Sequence, residues 1–397
     1  MSTSLRRWSS PFSPLLLATA LTPNLCAAGG FSLLDADTNV LFIDSPLVLR
    51  VGAVGVDIKQ DVVKANGQSV SHSSMAQSLL MPSVALKADL GQYVSCAFTY
   101  SEPYGMSFRY SREYQNAVRA ANPFPIPNAA QKLDVDSQET ALTCAVKLTL
   151  GPGTLYVLGG GFQETIRYDE RSDLGTLSLK DNQGYGYRAG LAYAIPDYAF
   201  RAQLLYRSAV QHDLDGHYAP AGPLAAILQG AGLNGPLEAY AAGTLPQSLT
   251  LSLQTGIAPD WLAFGSLRWV DWTVLPSFNA TIPALTPLTG GQVSKQLDFR
   301  DGYTATLGLG HRFNDRIAGS TSLTWDRNTG SDAFAAPGSL TLAAALEFTT
   351  EIGKFGAGVS ASYIQSASVR QAGGAPVDAH FAAGWAPGVG VTYTYQY

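Results

Sequence analysis

Residues 389–397 read VGVTYTYQY, and this stretch decides the fold. Val389, Val391, Tyr393, Tyr395 and Tyr397 fall on one face, and Gly390, Thr392, Thr394 and Gln396 on the other. A period of two with one wholly apolar face describes a β-strand whose two sides meet different media. A soluble strand seldom ends on the last residue of the chain with three tyrosines on one side. The alternation recurs upstream. Leu340, Leu342, Ala344, Leu346 and Phe348 oppose Thr341, Ala343, Ala345, Glu347 and Thr349. Leu249, Leu251 and Leu253 oppose Ser248, Thr250, Ser252 and Gln254, and Leu142, Cys144, Val146, Leu148 and Leu150 oppose Thr143, Ala145, Lys147 and Thr149.

Such runs begin near Leu47, Ser83, Tyr93, Leu133, Thr154, Gly184, Asp197, Pro246, Trp261, Leu297, Ile317, Ser339, Phe355 and Ala386. Tight turns at Asp89 to Gln92, Gly151 to Gly153, Pro196–Asp197, Pro259–Asp260, Asn314–Asp315 and Thr350 to Gly353 alternate with long loops rich in polar residues, Pro and Gly. Only 14% of the 397 residues are charged, against about 25% in soluble domains. Beyond the first thirty residues there is no apolar run of about eighteen, the length a membrane helix needs. In lipid only helices and closed barrels satisfy every backbone polar group. The expected fold is therefore all-β: a single antiparallel transmembrane β-barrel of about fourteen strands, with short periplasmic turns and longer extracellular loops.

Arg6 and Arg7, the apolar stretch Pro14 to Leu21 and the small residues Cys26, Ala27 and Ala28 form the pattern of a secretory signal over residues 1–28. Residues 29–45 would then form a short plug and 46–397 the barrel. Loss of Arg6 and Arg7 leaves 25 − 2 = 23 basic against 30 acidic residues, which argues against nucleic acid as a partner. These features place the chain in a Gram-negative outer membrane, among its lipid and lipopolysaccharide, with Tyr397 as the terminal aromatic that the barrel assembly machinery reads. Cys96 and Cys144 sit at apolar-face positions of neighbouring strands. They form either a cross-strand disulfide, as an oxidising periplasm allows, or, as the more ordinary reading, two small lipid-facing side chains.

Inward positions are mostly Gly, Ala, Ser and Thr. The charges among them are Arg50, Lys87, Lys147, Arg188, Arg201, Arg207, Arg268, Arg312 and Glu347. An uncharged interior with isolated cations suits an amphiphile with an apolar tail and an anionic head, and Arg188, Arg207 and Arg268 are the candidates for that head. The alternative is that these cations pair with carboxylates across the lumen. Two loops carry apolar stretches suited to gathering a hydrophobic ligand: Ala219 to Leu245, with Leu224, Ile227 and Leu228, and Tyr104 to Gln131, with Phe108 and the run Pro123 to Pro127. The segment His212 to His217 (HDLDGH) reads as a solvated turn rather than a metal site. With five histidines and no suggestive serine motif beside them, no catalytic centre and no cofactor are expected.

The segments Leu245 to Leu275 (LPQSLTLSLQTGIAPDWLAFGSLRWVDWTVL), Tyr206 to Tyr218 (YRSAVQHDLDGHY), Asp301 to Asp315 (DGYTATLGLGHRFND) and Ser101 to Gly105 (SEPYG) together resemble the FadL-type outer-membrane transporters of long-chain fatty acids. The resemblance implies a monomeric fourteen-stranded barrel plugged by its N-terminus. It implies passive passage of fatty acids or small aromatics from the outer loops to an inner pocket, with sideways exit at a kink in the third strand. Here that strand starts at Tyr93, and Pro103 and Gly105 are the candidates for the bend, since Pro lacks a ladder donor and Gly is common at bulges. The family's Asn-Pro-Ala motif is missing: Asp37-Thr38-Asn39 and Ser45-Pro46 stand in its place, so the plug is shortened or rebuilt.

Overall fold

A computed structural model describes residues 30–123 and 126–397; the expected signal at 1–28, and Phe124 with Pro125, lie outside the described residues. Fourteen antiparallel strands close into one barrel, the first pairing with the last from Val48↔Gln396 to Val56↔Gly388. The first two strands are Leu47–Val56 and Leu79–Asp89. The third runs Val94–Ser101 and resumes as Gly105–Arg109. The fourth to sixth are Ala130–Leu150, Gly153–Ser172 and Gly175–Ile195. The next four are each interrupted once: Phe200–Arg207 with Val210–Pro220, Leu237–Leu245 with Ser248–Ala258, Trp261–Val270 with Ser277–Thr281, and Gln292–Gln296 with Gly302–Arg312. Ile317–Asp326, Ser339–Thr350, Gly353–Ile364 and Gly384–Gln396 complete the wall.

The alternation read from the sequence maps onto the two faces. Leu340, Leu342, Leu346 and Phe348 are exposed on the outside, while Thr341, Ala343 and Ala345 are buried inside. Aromatic residues ring the outer face at two heights, with Tyr187, Tyr303, Trp325, Tyr363 and Trp385 toward the loops and Tyr93, Tyr198, Trp261 and Tyr397 toward the turns. At the turn ends, tight geometry is met by residues that tolerate positive φ, such as Gly151 (φ 57°) and Asp260 (φ 63°).

Several expected loops are in fact strand. The fourth to sixth strands are 21, 20 and 21 residues long, about twice what crosses the hydrocarbon. The sixth begins at Gly175, not near Gly184; the seventh runs on to Pro220, and residues 237–245 belong to the eighth. The reason is a reversal of polarity above the membrane. There Leu177, Leu179, Leu214 and Ala239 point inward and are buried, whereas Asp169, Lys180, Asp213 and Asp215 point into water. A search for apolar residues on the lipid side passes over such strands. His212 to His217 is likewise strand, not turn, and His212 is buried.

The loops carry elements of their own. A helix, Arg112–Ala121, packs on a four-stranded sheet built from Asp61–Ala65, Gln68–Ser74, Ala367–Val369 and Ala379–Phe381. A second helix, Gly222–Gly230, buries Leu224 and Leu228 against Leu177, Leu179 and Leu237 and so covers the mouth, leaving Ile227 exposed.

Cys96 and Cys144 are paired residues on the third and fourth strands, and they form a disulfide on the outer face with Cα atoms 4.0 Å apart. It closes a separation of 48 residues, for which chain entropy gives about 4 kcal/mol. We expect Cys96→Ser to lower the temperature at which the barrel loses its heat-modifiable gel shift. Non-reducing peptide mass spectrometry should find the Cys96–Cys144 crosslink in the wild type; two free thiols there would exclude it.

Candidate functional site

The third strand is where the wall opens. Between the pairs Ser101↔Glu139 and Gly105↔Asp136 it spends three residues, Glu102, Pro103 and Tyr104, against two on the fourth strand, which makes a β-bulge. On the other side, the ladder to the second strand runs from Asp89↔Ser95 to Val84↔Tyr100 and stops. Contact resumes at the bridge Ala76↔Phe108, where Gln77 N donates to the Ser107 carbonyl (2.9 Å) and Arg109 N to the Met75 carbonyl (2.8 Å). Among the described residues, no ladder pairing joins residues 79–83 to residues 101–106.

The bulged backbone finds its partners inside the barrel. Ser137 Oγ accepts from Tyr104 N (2.9 Å) and donates to the Tyr104 carbonyl (3.0 Å). Leu33 N donates to the Pro103 carbonyl (2.7 Å), Leu34 N to that of Glu102 (3.1 Å), and Gly105 N to that of Phe31 (2.9 Å). The N-terminal segment therefore lies along the kink like a short extra strand. Gly105 permits this approach, since a Cβ there would come within 2.7 Å of Leu33 Cδ1. Gly30, at φ 60°, packs on the Trp272 ring, which a Cβ would meet at 2.5 Å.

From Phe31 to Pro46 this segment descends through the lumen, held by inward cations. Arg268 pairs with Asp35 (2.8 Å) and Arg50 with Asp37 (2.7 Å). Arg201 donates to Asn39 Oδ1 (2.9 Å) and lies over the Phe42 ring (4.4 Å). Lys87, fully buried, donates to the carbonyls of Ile43 (3.2 Å) and Ser45 (2.5 Å) and pairs with Asp89 (2.8 Å). A short 3₁₀ helix, Thr38–Phe42, buries Val40 and Leu41 against Ala85, Ala97, Ala145 and Leu158 of the wall.

Higher up, the seventh to tenth strands all break at one level. There Leu245, Trp272, Leu275, Leu297 and Phe299 close on Phe31 and Tyr104 in an apolar cluster, with the Phe31 and Trp272 rings 4.5 Å apart. The kink residue Tyr104 also accepts a bond from Arg207 Nη1 at its hydroxyl (3.2 Å), which itself donates to the Pro246 carbonyl (3.2 Å). Arg207 in turn pairs with Glu139 (3.1 Å) and with Glu164, and Arg188 pairs with Glu139. All four side chains are buried.

Two cavities flank this cluster. One of about 70 Å³ is walled by Leu133, Val135, Ile166, Leu214 and Phe278, and one of about 150 Å³ reaches Leu79, Gly105 and Phe108 at the opening. Phe31, Met106 and Phe334 line both. A larger cavity of about 260 Å³, lined by charged as well as apolar side chains, lies on the other side of the N-terminal segment, among Asp35, Asp37, Arg50, Arg201 and Arg268.

Residues 131–334, just over half of the chain, match the profile of the family described as outer membrane protein transport protein (OMPP1/FadL/TodX). The chain belongs to this family. It is an outer-membrane β-barrel of the FadL/TodX type, whose members carry hydrophobic compounds. Solved structures share the fold. A FadL homologue of Pseudomonas aeruginosa superposes with a TM-score of 0.66 at 14% identity, covering 89% of this chain and 91% of that one. The toluene transporter TodX of P. putida gives 0.59 at 11% (90% and 92%), and the toluene transporter TbuX of Ralstonia pickettii 0.58 at 12% (90% and 90%). None of the curated proteins compared matches the chain in sequence.

Within this FadL/TodX-type barrel, the residues singled out from sequence fall in different places. Pro103 is in the bulge, Gly105 is the residue at which pairing resumes beyond it, and Phe108 lines the adjoining cavity. Arg188 and Arg207 meet over the shared carboxylate of Glu139, whereas Arg268 is apart, on Asp35. None of the three is a free cation, so the pairing alternative describes their geometry. Of the other inward charges, Lys147 meets Asp89, Arg312 meets Asp260 and Glu347 meets Lys354. Leu224 and Leu228 close the mouth instead of facing outward to ligand. The sequence reading missed Glu139, Glu164 and Tyr104. Glu139 shares the inward parity of Ala141 and Thr143 and was findable; Tyr104 was not, because a bulge resets parity.

Glu139 is the acid shared by both buried arginines. Replacing it with Leu leaves a cation uncompensated and should destabilise the barrel by about 3–5 kcal/mol in urea unfolding in detergent. Glu164→Gln should have a smaller effect, because Arg207 keeps Glu139; equal losses would contradict this arrangement.

Proposed function

We propose that this barrel passively conducts small hydrophobic molecules, compact aromatics in preference to long-chain fatty acids, from its outer loops to a sideways exit between the second and third strands. The observation that carries the reading is the interrupted ladder at residues 79–83 and 101–106, with an apolar cavity directly behind it. A water-filled route would not need a hole in the wall. The preference for compact molecules rests on volume. The cavity of about 150 Å³ behind the opening is of the order that holds benzene, and a long acyl chain needs several times more. The toluene transporters of the same fold are consistent with it. In this reading Pro103 and Gly105 shape the exit, Phe108 lines it, and Ile227 is an outer contact. Arg188, Arg207 and Arg268 bind the protein's own carboxylates and not a ligand head group. Residues 29–45 act as the plug behind a signal at 1–28. The chain works as a monomer inserted through its C-terminal strand.

Deleting Pro103 removes the extra residue and lets the second and third strands pair. In cells lacking other hydrophobic-compound channels, labelled toluene uptake should then fall to background while the barrel still folds. Oleate uptake should be low in both forms. Undiminished toluene uptake by the deletion variant would sink the sideways route. Large, steady ion conductance would favour a general porin, and loop-dependent surface binding without uptake would favour an adhesive barrel.

A further inference from the structure

Phe31, Met106 and Phe334 are the side chains that both apolar cavities share, so they form the partition between them. The inner cavity lies under the covered mouth, among Leu133, Val135 and Leu214, and the outer one lies behind the interrupted ladder. Cargo on its way to the opening crosses from the first to the second. At about 70 Å³ the inner cavity is less than half the volume of about 150 Å³ that admits benzene, so a ring enters it only where the partition yields.

Phe31 and Phe334 are held in place. The buried Phe31 ring lies 4.5 Å from that of Trp272 and 6.0 Å from that of Tyr104, and its carbonyl accepts from Gly105 N. Phe334 meets Phe299 edge-on (5.4 Å). Its backbone closes a turn in which Ser331 Oγ accepts from Phe334 N (3.2 Å) and donates to the Leu297 carbonyl (2.6 Å). Met106 is held differently. It follows Gly105 where pairing resumes and stands opposite the inward, buried Val135, so strand parity aims it into the lumen. Its half-buried side chain packs on the cluster under the mouth and also on the cluster around Phe31 and Trp272. An unbranched thioether with three rotatable bonds changes its course without displacing the strand that carries it.

We propose that Met106 is the specificity-determining residue of the sideways route. Its side chain swings aside to join the two cavities, and the space this leaves between the fixed rings of Phe31 and Phe334 sets the largest cargo that passes: a single aromatic ring, not two fused ones. This rests on the reading of the barrel as a conduit for small hydrophobic molecules, and it adds a size limit and the side chain that imposes it.

In cells lacking other hydrophobic-compound channels, the wild-type protein should take up labelled toluene about tenfold faster than labelled naphthalene, a difference of ordinary size for steric exclusion by an apolar passage. Met106→Ala removes the movable part of the partition and should bring naphthalene uptake up to that of toluene. Met106→Phe stays apolar and similar in bulk but exchanges a flexible chain for a rigid ring, and it should cut toluene uptake about tenfold. Folding of each variant is checked by the heat-modifiable gel shift, and either variant alone decides the role of Met106 if the other does not fold. Equal wild-type uptake of the two hydrocarbons overturns the size limit while leaving sideways passage intact. A wild-type preference for toluene that neither substitution alters places the limit elsewhere and overturns the assignment to Met106. No uptake of either compound by the wild type overturns the transport reading itself.

Discussion

Backbone hydrogen bonds in a lipid environment have nowhere to go but to other backbone. A strand edge facing hydrocarbon leaves each unpaired group at a penalty of several kcal/mol, and closure of the sheet removes the edge. Here fourteen strands close, and at one place the ladder is interrupted. That interruption is tolerable because the polar groups of Glu102, Pro103, Tyr104 and Gly105 turn inward to Phe31, Leu33, Leu34 and Ser137. The N-terminal segment and the interrupted ladder are thus joined in one structure. The N-terminal segment does not only fill the lumen; it supplies the hydrogen bonds that let the wall be open.

The charged residues of the lumen follow the same logic. An interior with so few charges suggests free cations waiting for an anion, but an unpaired buried cation is costly. Arg268, Arg50, Arg201 and Lys87 instead fasten residues 35–45, and Arg188 with Arg207 neutralises Glu139 and Glu164. Through the Tyr104 hydroxyl, Arg207 also ties this mid-lumen cluster to the bulge. The arrangement separates a cavity that holds these ion pairs, on one side of the N-terminal segment, from apolar cavities on the other, next to the interrupted ladder. Oily cargo and water are thereby given different surfaces.

Much of the wall was legible in advance. Wherever a strand crosses hydrocarbon, as at Leu340 to Phe348 or Val389 to Tyr397, lipid contact forces an apolar face and the period of two is plain. Above the membrane the signal inverts: residues such as Leu177 and Leu179 face the core and Lys180 faces water, so long strands passed as loops. His212 was lost the same way, read as part of a polar turn when it stands buried in a strand. Pro103 and Gly105 were recognised as breakers, yet their neighbour Tyr104, the side chain that anchors the kink, carried no sign of its role.

The sequence by itself determined the class of fold, the strand number, the orientation of turns and loops, and the parity of each membrane-crossing residue. These depend on local period and on the solvent each face meets. Which carboxylate each cation meets, and that Cys96 meets Cys144, depends on register and on closure. So does the meeting of residues 31–34 with residues 102–105. Partners such as Arg268 and Asp35 lie 233 positions apart, and no local pattern encodes that separation. Only the closed barrel, by fixing which inward side chains share a level, decided them.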